Sequence, residues 1–173
     1  MQKMNKSTKV LFSEKFTRAI NKVFANFTNS YDFEKQSKYG ISQKSYPSLD
    51  LENLTAQEAQ LIYYRDFWKI QPYEQINSVD IAEKVFELAI ESGTEIAHTL
   101  LQRALRSVGN PVQENGNLDK VTLIAINSAN PKELLAAFRS EVAGHYRTSF
   151  EHTHIKVDVA ELMLKHAYAW DKQ

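Results

Sequence analysis

Residues 78–108 read SVDIAEKVFELAIESGTEIAHTLLQRALRSV, and the spacing of their apolar positions predicts two consecutive helices. Ser78 has the side chain of an N-cap for the first helix, and Gly93 suits the left-handed backbone with which many helices end. Thr94 is then expected to cap the second helix, which ends before Gly109. Apolar residues cover nearly half of the circumference of the second helix, so we expect it to be the central helix of a bundle.

The same spacing predicts further helices on both sides of this pair. Thr55 and Glu58 have the types and separation of a capping box, and Asn130 precedes Pro131 as a cap precedes a first-turn proline. Residues 28–47 lose the helical period and are rich in Asn, Ser, Gly and Tyr, which predicts a loop with room for one short hairpin. The fold class is therefore mainly α, with at most one small β-hairpin. The further predicted helices are 13–27, 55–68, 118–127, one that begins at Pro131, and 155–170.

Composition narrows the range of partners and chemistries. The 21 basic and 21 acidic residues cancel, so the chain has no net charge with which to attract nucleic acid. Cysteine is absent, which excludes disulfides, thiol catalysis and thiolate metal sites. The sequence also lacks the Gly-x-Ser-x-Gly elbow of many hydrolases and any glycine-rich phosphate loop. We expect no cofactor and no metal.

The length and the first residues bear on domain organisation and localisation. A chain of 173 residues fits one domain, which we place at 1–173. The start of the chain has no apolar run long enough for a Sec signal peptide, and no segment is apolar enough to span a membrane. The expected protein is soluble and cytoplasmic as made, and action on a cell wall requires export by a non-Sec route.

Five short stretches carry a family resemblance: SKYGIS at 37–42, LTAQEA at 54–59, IYYRDFW at 62–68, ESG at 91–93 and LLQRAL at 100–105. In this order they resemble glycoside hydrolase family 108, the N-acetylmuramidases often labelled secretion activators or predicted peptidoglycan-domain proteins. The resemblance covers about residues 14–145 and implies a lysozyme-like helical fold that acts on peptidoglycan. The predicted last helix, 155–170, diverges from the family.

The resemblance also shows what the chain lacks. The family has a catalytic glutamate at the end of the first helix, and alignment of that helix places Phe27 at its position. No Asp or Glu occurs between residues 23 and 29, and the loop that follows is about four residues shorter than in the family. A phenyl ring cannot donate a proton, so we expect little or no hydrolysis. Asp32 matches a family Asp in this loop.

The resemblance assigns a cleft in which glycan is expected to bind. Glu87 and Glu91 replace the Asp and Asn usual in the family, and the other interpretation of this pair is a solvated helix face. The aromatic cluster Tyr63, Tyr64, Phe67, Trp68 and Tyr73 suits either sugar stacking or core packing. His145, His152 and His154, near Glu151 and Asp158, do not have the spacing of a known metal site. The residues assigned to the cleft are Phe27, Ser37, Tyr39, Tyr63, Glu87 and Glu91.

Two functional hypotheses follow. The first is a catalytically degenerate, muramidase-like protein that binds peptidoglycan glycan or a bacterial protein partner in a phage, secretion or cell-envelope system. The alternative is an active but atypical muramidase in which a desolvated Glu34 is the acid and Asp32 its partner. The plain interpretation of these two residues is a pair of solvated loop carboxylates. The sequence does not predict the oligomeric state.

Overall fold

A computed structural model confirms the mainly α fold with one small hairpin. It describes residues 12–28, 37–152 and 157–168, with the backbone alone at 26–28, 150–152 and 157–159. The described elements are α1 (Glu14–Thr28), β1 (Ser37–Lys38), β2 (Ile41–Ser42), α2 (Ala56–Tyr63), a π-helical turn (Tyr64–Trp68), a 3-10 turn (Tyr73–Gln75), α3 (Val79–Ser92), α4 (Thr94–Ser107), α5 (Lys120–Ser128), α6 (Pro131–His152) and α7 (Val157–Tyr168).

The predicted helix ends are set by local chemistry. Thr55 and Glu58 form a complete capping box at the start of α2. Ser78 Oγ accepts a hydrogen bond from Ile81 N at 3.4 Å at the start of α3. Gly93 ends α3 with a φ of 92°, where a glycine is favoured. The predicted cap at Thr94 is wrong, because that residue is already the first of α4 and Gly93 is its N-cap without a side-chain hydrogen bond.

The helix predicted over 55–68 changes its geometry halfway. After Tyr63 the chain forms the π-helical turn Tyr64–Trp68. Lys69 N donates to Tyr64 O at 2.8 Å, which is the i to i+5 bond of such a turn. The turn ends with Trp68 buried, and its indole Nε1 donates to Glu74 Oε1 at 2.7 Å. A π turn inside a helix is frequent at functional sites.

As predicted, α4 has a central position, packed against α3, α5 and α6, and α3 is buried still more completely. Every residue from 81 to 89 is buried, including Glu83, Lys84 and Glu87, and α3 packs against α1, α4 and α6. The charged residues tolerate burial because they are paired: Arg18 of α1 reaches Glu83 at 2.7 Å, and Lys84 reaches Glu87 at 2.9 Å. By contrast, α4 leaves Ile96 37% exposed.

Aromatic rings join α1, the π-helical turn and α3 in one core. Trp68 stands edge-on to Phe86 with ring centroids 5.0 Å apart, and to Phe16 at 5.4 Å. Tyr73 completes the group and is fully buried. Within residues 12–28, 37–152 and 157–168, none of the helices combines the length and apolar character that crossing a bilayer requires.

Candidate functional site

The hairpin forms one wall of a cleft. Its register pairs Ser37 with Ser42 and Lys38 with Ile41. The turn residues Tyr39 and Gly40 have φ values of 55° and 77°, the positive pair typical of a type I′ turn. This conformation costs a non-glycine residue such as Tyr39 about 1 kcal/mol. Neighbouring aromatic side chains hold Tyr39 in place.

Phe24 and Tyr63 are two of the aromatic residues that contact Tyr39. The ring of Phe24, near the end of α1, lies 5.3 Å from the ring of Tyr39. The hydroxyl of Tyr63, the last residue of α2, donates to Tyr39 O at 3.0 Å. The tip of the hairpin is therefore tied to α1 and α2. The predicted cleft residues Tyr39 and Tyr63 are brought together, and Ser37 lies on the same hairpin, half-buried.

The opposite wall is the π-helical turn, with one residue of α3. The cleft has a volume of about 310 Å³, at the small end of the range for ligand sites. Phe67 and Ile90 supply apolar surface, while Ser42, Tyr46 and Asp66 supply polar groups. The mixture of three aromatic rings, aliphatic side chains, a few hydroxyl groups and one carboxylate suits a sugar ring, which has both apolar and hydroxylated faces. The complete lining of the cleft is Gly40, Ile41, Ser42, Ser45, Tyr46, Tyr63, Asp66, Phe67 and Ile90.

Asp66 is the carboxylate among the described residues that line this cleft. Arg65 binds it through two nitrogens, at 2.5 and 2.6 Å, and Tyr46 donates its hydroxyl at 2.8 Å. The hydrogen bond from Arg65 is the main reason that the pKa of Asp66 lies below its usual range. Burial, followed by the hydrogen bond to Asp66, raises the pKa of Tyr46 to about 12. Asp66 is therefore an ionised acceptor at neutral pH and not a proton donor.

Glu87 and Glu91 do not form a solvated helix face, and that interpretation is wrong. The Glu87 side chain is 4% exposed and pairs with Lys84, while the Glu91 carboxylate accepts a hydrogen bond from the Tyr146 hydroxyl at 2.6 Å. His166 Nδ1 lies 4.0 Å from Glu91. The structure thus brings both glutamates towards α6 and α7, and neither lines the described cleft. Contact of either residue with a glycan stays a prediction.

The remaining predicted catalytic positions fall outside what the structure describes. Asp32 and Glu34 lie outside the described residues, and Phe27 is described only as backbone near the end of α1. Their predicted roles therefore stay predictions. Because Phe24, one turn earlier on α1, contacts Tyr39 and Tyr63, this end of α1 approaches the hairpin side of the cleft.

Burial divides the aromatic cluster between core and cleft. Trp68 and Tyr73 are 1% and 0% exposed, so core packing accounts for both, while Phe67 is half-buried and lines the cleft. Of the histidine group, His145 has a described side chain, and burial lowers its pKa. Among the described side chains, no group of three or more His, Asp or Glu is arranged to hold a metal ion.

Sequence reasoning missed Tyr46 and Asp66 as cleft residues. Asp66 was visible inside the IYYRDFW stretch, but a regular helix gave no reason to place it beside Tyr46. In the structure Asp66 lies in the π-helical turn, within hydrogen-bond distance of Tyr46. A second missed feature is the groove of about 710 Å³ between α5 and the 3-10 turn. Beside it, Val121 and Ile124 of α5 are 66% and 58% exposed.

Comparisons with known proteins support the resemblance and the fold. Residues 28–93, which contain the hairpin, α2 and α3, match the model of a family described as Glycosyl hydrolase 108. Among solved structures, SagA of Brucella abortus is similar, with a TM-score of 0.65 and 16% sequence identity over 91% of this chain and 96% of SagA. None of the curated proteins matches the chain in sequence. The predicted resemblance is confirmed, and the matched stretch begins directly after Phe27.

Proposed function

We propose that this muramidase-like protein, whose residues 28–93 match the Glycosyl hydrolase 108 family model, binds peptidoglycan glycan in the cleft beside the hairpin and does not cleave it. Catalytic degeneracy rests on the resemblance, which places Phe27 where the family has its glutamate. Glycan binding rests on the cleft, whose described lining retains an aromatic ring and polar groups.

One observation supports this proposal above the others: the carboxylate at the cleft is held in its charged form. Hydrolysis of a glycosidic bond needs a protonated carboxylic acid, usually one whose pKa is raised by an apolar environment. Asp66 has the opposite environment, because Arg65 and Tyr46 both donate to it and its pKa is lowered. An ionised carboxylate accepts hydrogen bonds from sugar hydroxyls, so Asp66 suits binding better than acid catalysis.

A protein partner is a second candidate, and the face of α5 favours it. Val121 and Ile124 lie three residues apart on one side of α5 and are more than half exposed. Exposed apolar side chains beside a groove are a common feature of protein interaction sites. This face is separate in its residues from the glycan cleft, so the two candidates are tested by different substitutions.

Purified sacculi test the glycan proposal directly. Soluble muropeptides released and protein sedimented are measured on the same samples for the wild type, Phe27→Glu and Glu34→Gln. We expect the wild type to sediment with sacculi without release. Release by the wild type that Glu34→Gln abolishes would instead support the alternative with Glu34 and Asp32. Release by Phe27→Glu alone would support the alignment of Phe27 with the family glutamate.

A matched pair of variants tests the place of binding. Asp66→Asn removes the charged acceptor from the cleft, and we expect about tenfold weaker sedimentation, the usual effect of losing a hydrogen bond to a charged group. Val121→Ser changes α5 outside the cleft and is expected to leave sedimentation unchanged. If neither variant nor the wild type sediments, the glycan proposal fails, and loss of partner capture in Val121→Ser becomes the relevant measurement.

A further inference from the structure

The last described helix is attached by few buried side chains. α7 packs on α6, and of its described side chains Ala167 alone is fully buried, while those at 160–166 and 168 are half-buried or exposed. Elements with little buried apolar surface open more easily than the core. Polar contacts should therefore have an unusually large part in holding α7.

Those polar contacts lie in a buried cluster that joins three helices. Lys84 Nζ of α3 donates to the backbone oxygen of His166 in α7 at 2.8 Å and pairs with Glu87 at 2.9 Å. The Glu91 carboxylate lies 4.0 Å from His166 Nδ1 and accepts the Tyr146 hydroxyl of α6 at 2.6 Å. The side chains of Lys84 and Glu87 are 6% and 4% exposed. Charge changes in this cluster are poorly screened by water.

We propose that α7 is a pH-sensitive strap, docked on α3 when Glu91 is protonated and His166 is neutral, and loosened when one of the two groups alone becomes charged. Its described contacts with α3 are those of His166 with Lys84 and Glu91. Ile90, which lines the glycan cleft, lies in the same turn as Glu91. Loosening of α7 would uncover Glu87 and Glu91 close to that cleft. The inference does not depend on glycan binding.

The groups that face Glu91 set its protonation. On α3 these are Lys84 and Glu87, on α6 Tyr146, and on α7 His166 at 4.0 Å. Burial first, and then the charge of Glu87, raises the pKa of Glu91 from 4.5 to about 7. Departure of α7 relieves part of this burial and lowers the pKa again. The Glu91 contribution to docking is therefore fully present below about pH 4.5 and is lost as the pH rises to about 7.

His166 acts with the opposite sign. Burial lowers its pKa below 6.5, Lys84 and Lys165 lower it further, and Glu87 opposes them. Departure of α7 returns the pKa towards 6.5, so the His166 contribution to docking is present above that pH and is lost as the pH falls. In the wild type the two contributions oppose each other between about pH 5 and 7.

Hydrogen exchange of the full-length protein tests this proposal. Protection of the α7 amides, corrected for intrinsic exchange, is measured between about pH 5 and 7 for the wild type, Glu91→Gln and His166→Asn. In Glu91→Gln only His166 titrates, so protection is expected to increase as the pH rises. In His166→Asn only Glu91 titrates, so protection is expected to fall about tenfold over the same range. The wild type is expected to show a smaller change than either.

The design has internal controls. Lys84 donates to the backbone oxygen of His166, and this hydrogen bond can still form in His166→Asn. Glu91→Gln preserves the size of the side chain. Amides of α4 in the same samples report on global opening. Their protection should not change with pH in opposite directions in the two variants. The proposal is overturned if α7 protection has the same pH dependence in both variants as in the wild type. It is also overturned if the slopes have the opposite signs.

Discussion

At the scale of single residues, a chain of hydrogen bonds fixes the protonation of His98. Nδ1 of His98 lies 2.9 Å from Gly116 O, which can only accept, so Nδ1 carries the proton. Nε2 then accepts from the Tyr73 hydroxyl at 2.9 Å. Burial lowers the pKa of His98, which keeps the ring neutral. Gly116 is the backbone end of this chain, and its N–H also donates to Gln102 Oε1 at 2.9 Å.

Substitution of Gly116 tests how tightly this turn is built. Its φ is +72°, and an added Cβ would lie 3.0 Å from Glu95 Cγ. Gly116→Ala is therefore expected to lower the free energy of unfolding by about 1–3 kcal/mol. The control is Gly144→Ala inside α6, where nothing lies within 4 Å of an added Cβ, with an expected gain of about 0.5–1 kcal/mol. Urea denaturation of both variants measures the difference, and effects of equal sign would contradict the prediction.

At the scale of elements, the sequence was sufficient to predict a helix end wherever that end is set by a few neighbouring residues. The cap at Ser78, the capping box of Thr55 and Glu58, and the positive φ at Gly93 depend on a few neighbouring residues, and all were predicted. The π-helical turn at Tyr64–Trp68 was not, because it depends on where Trp68 meets α1, α3 and Glu74. The same limit explains why Asp66 was missed at the cleft.

The charged residues of α3 are a second case in which local sequence did not predict the environment of a side chain. Their burial can be tested by substitution. Glu87 was considered as part of a solvated helix face, yet it is buried as a pair with Lys84. Lys84→Met should destabilise the protein by about 3 kcal/mol or more, because a buried charge loses its main partner. The double variant Lys84→Met with Glu87→Met should recover part of this loss. Urea denaturation in a double-mutant cycle measures the coupling.

An exposed pair is the control for that cycle. Arg103 and Glu114 lie 3.0 Å apart, with the Arg103 side chain 45% exposed, so Arg103→Gln is expected to cost less than about 1 kcal/mol. The explanation by pairing is contradicted if Lys84→Met with Glu87→Met is less stable than Lys84→Met alone. Pairing of Lys84 with Glu87 would then not be the reason that α3 tolerates burial on all sides. If the double variant recovers stability, the pairing of Lys84 with Glu87 explains how α3 carries charged residues and is still buried on all sides.

At the scale of the whole molecule, buried titratable groups make stability depend on pH. Burial lowers the pKa values of His98, His145 and His166, so each contributes stability above pH 6.5 that is lost on acidification. Glu91 opposes them, because its raised pKa, about 7, makes its contribution greatest below pH 4.5 and lost as the pH rises to about 7. Between about pH 5 and 7 the three described histidines therefore raise the unfolding free energy as the pH rises, and Glu91 lowers it.

Single substitutions separate these contributions. Glu91→Gln removes the group that opposes the histidines, so the slope of unfolding free energy against pH between about pH 5 and 7 should become more positive, by at most about 1.4 kcal/mol per pH unit. His98→Asn should make this slope less positive, because unfolding no longer allows that imidazole to take up a proton. Denaturation at a series of pH values measures both slopes. If the two variants change the slope in the same direction, burial does not set the protonation of both Glu91 and His98. Water would then have to reach the interior where α3, α4, α6 and α7 pack.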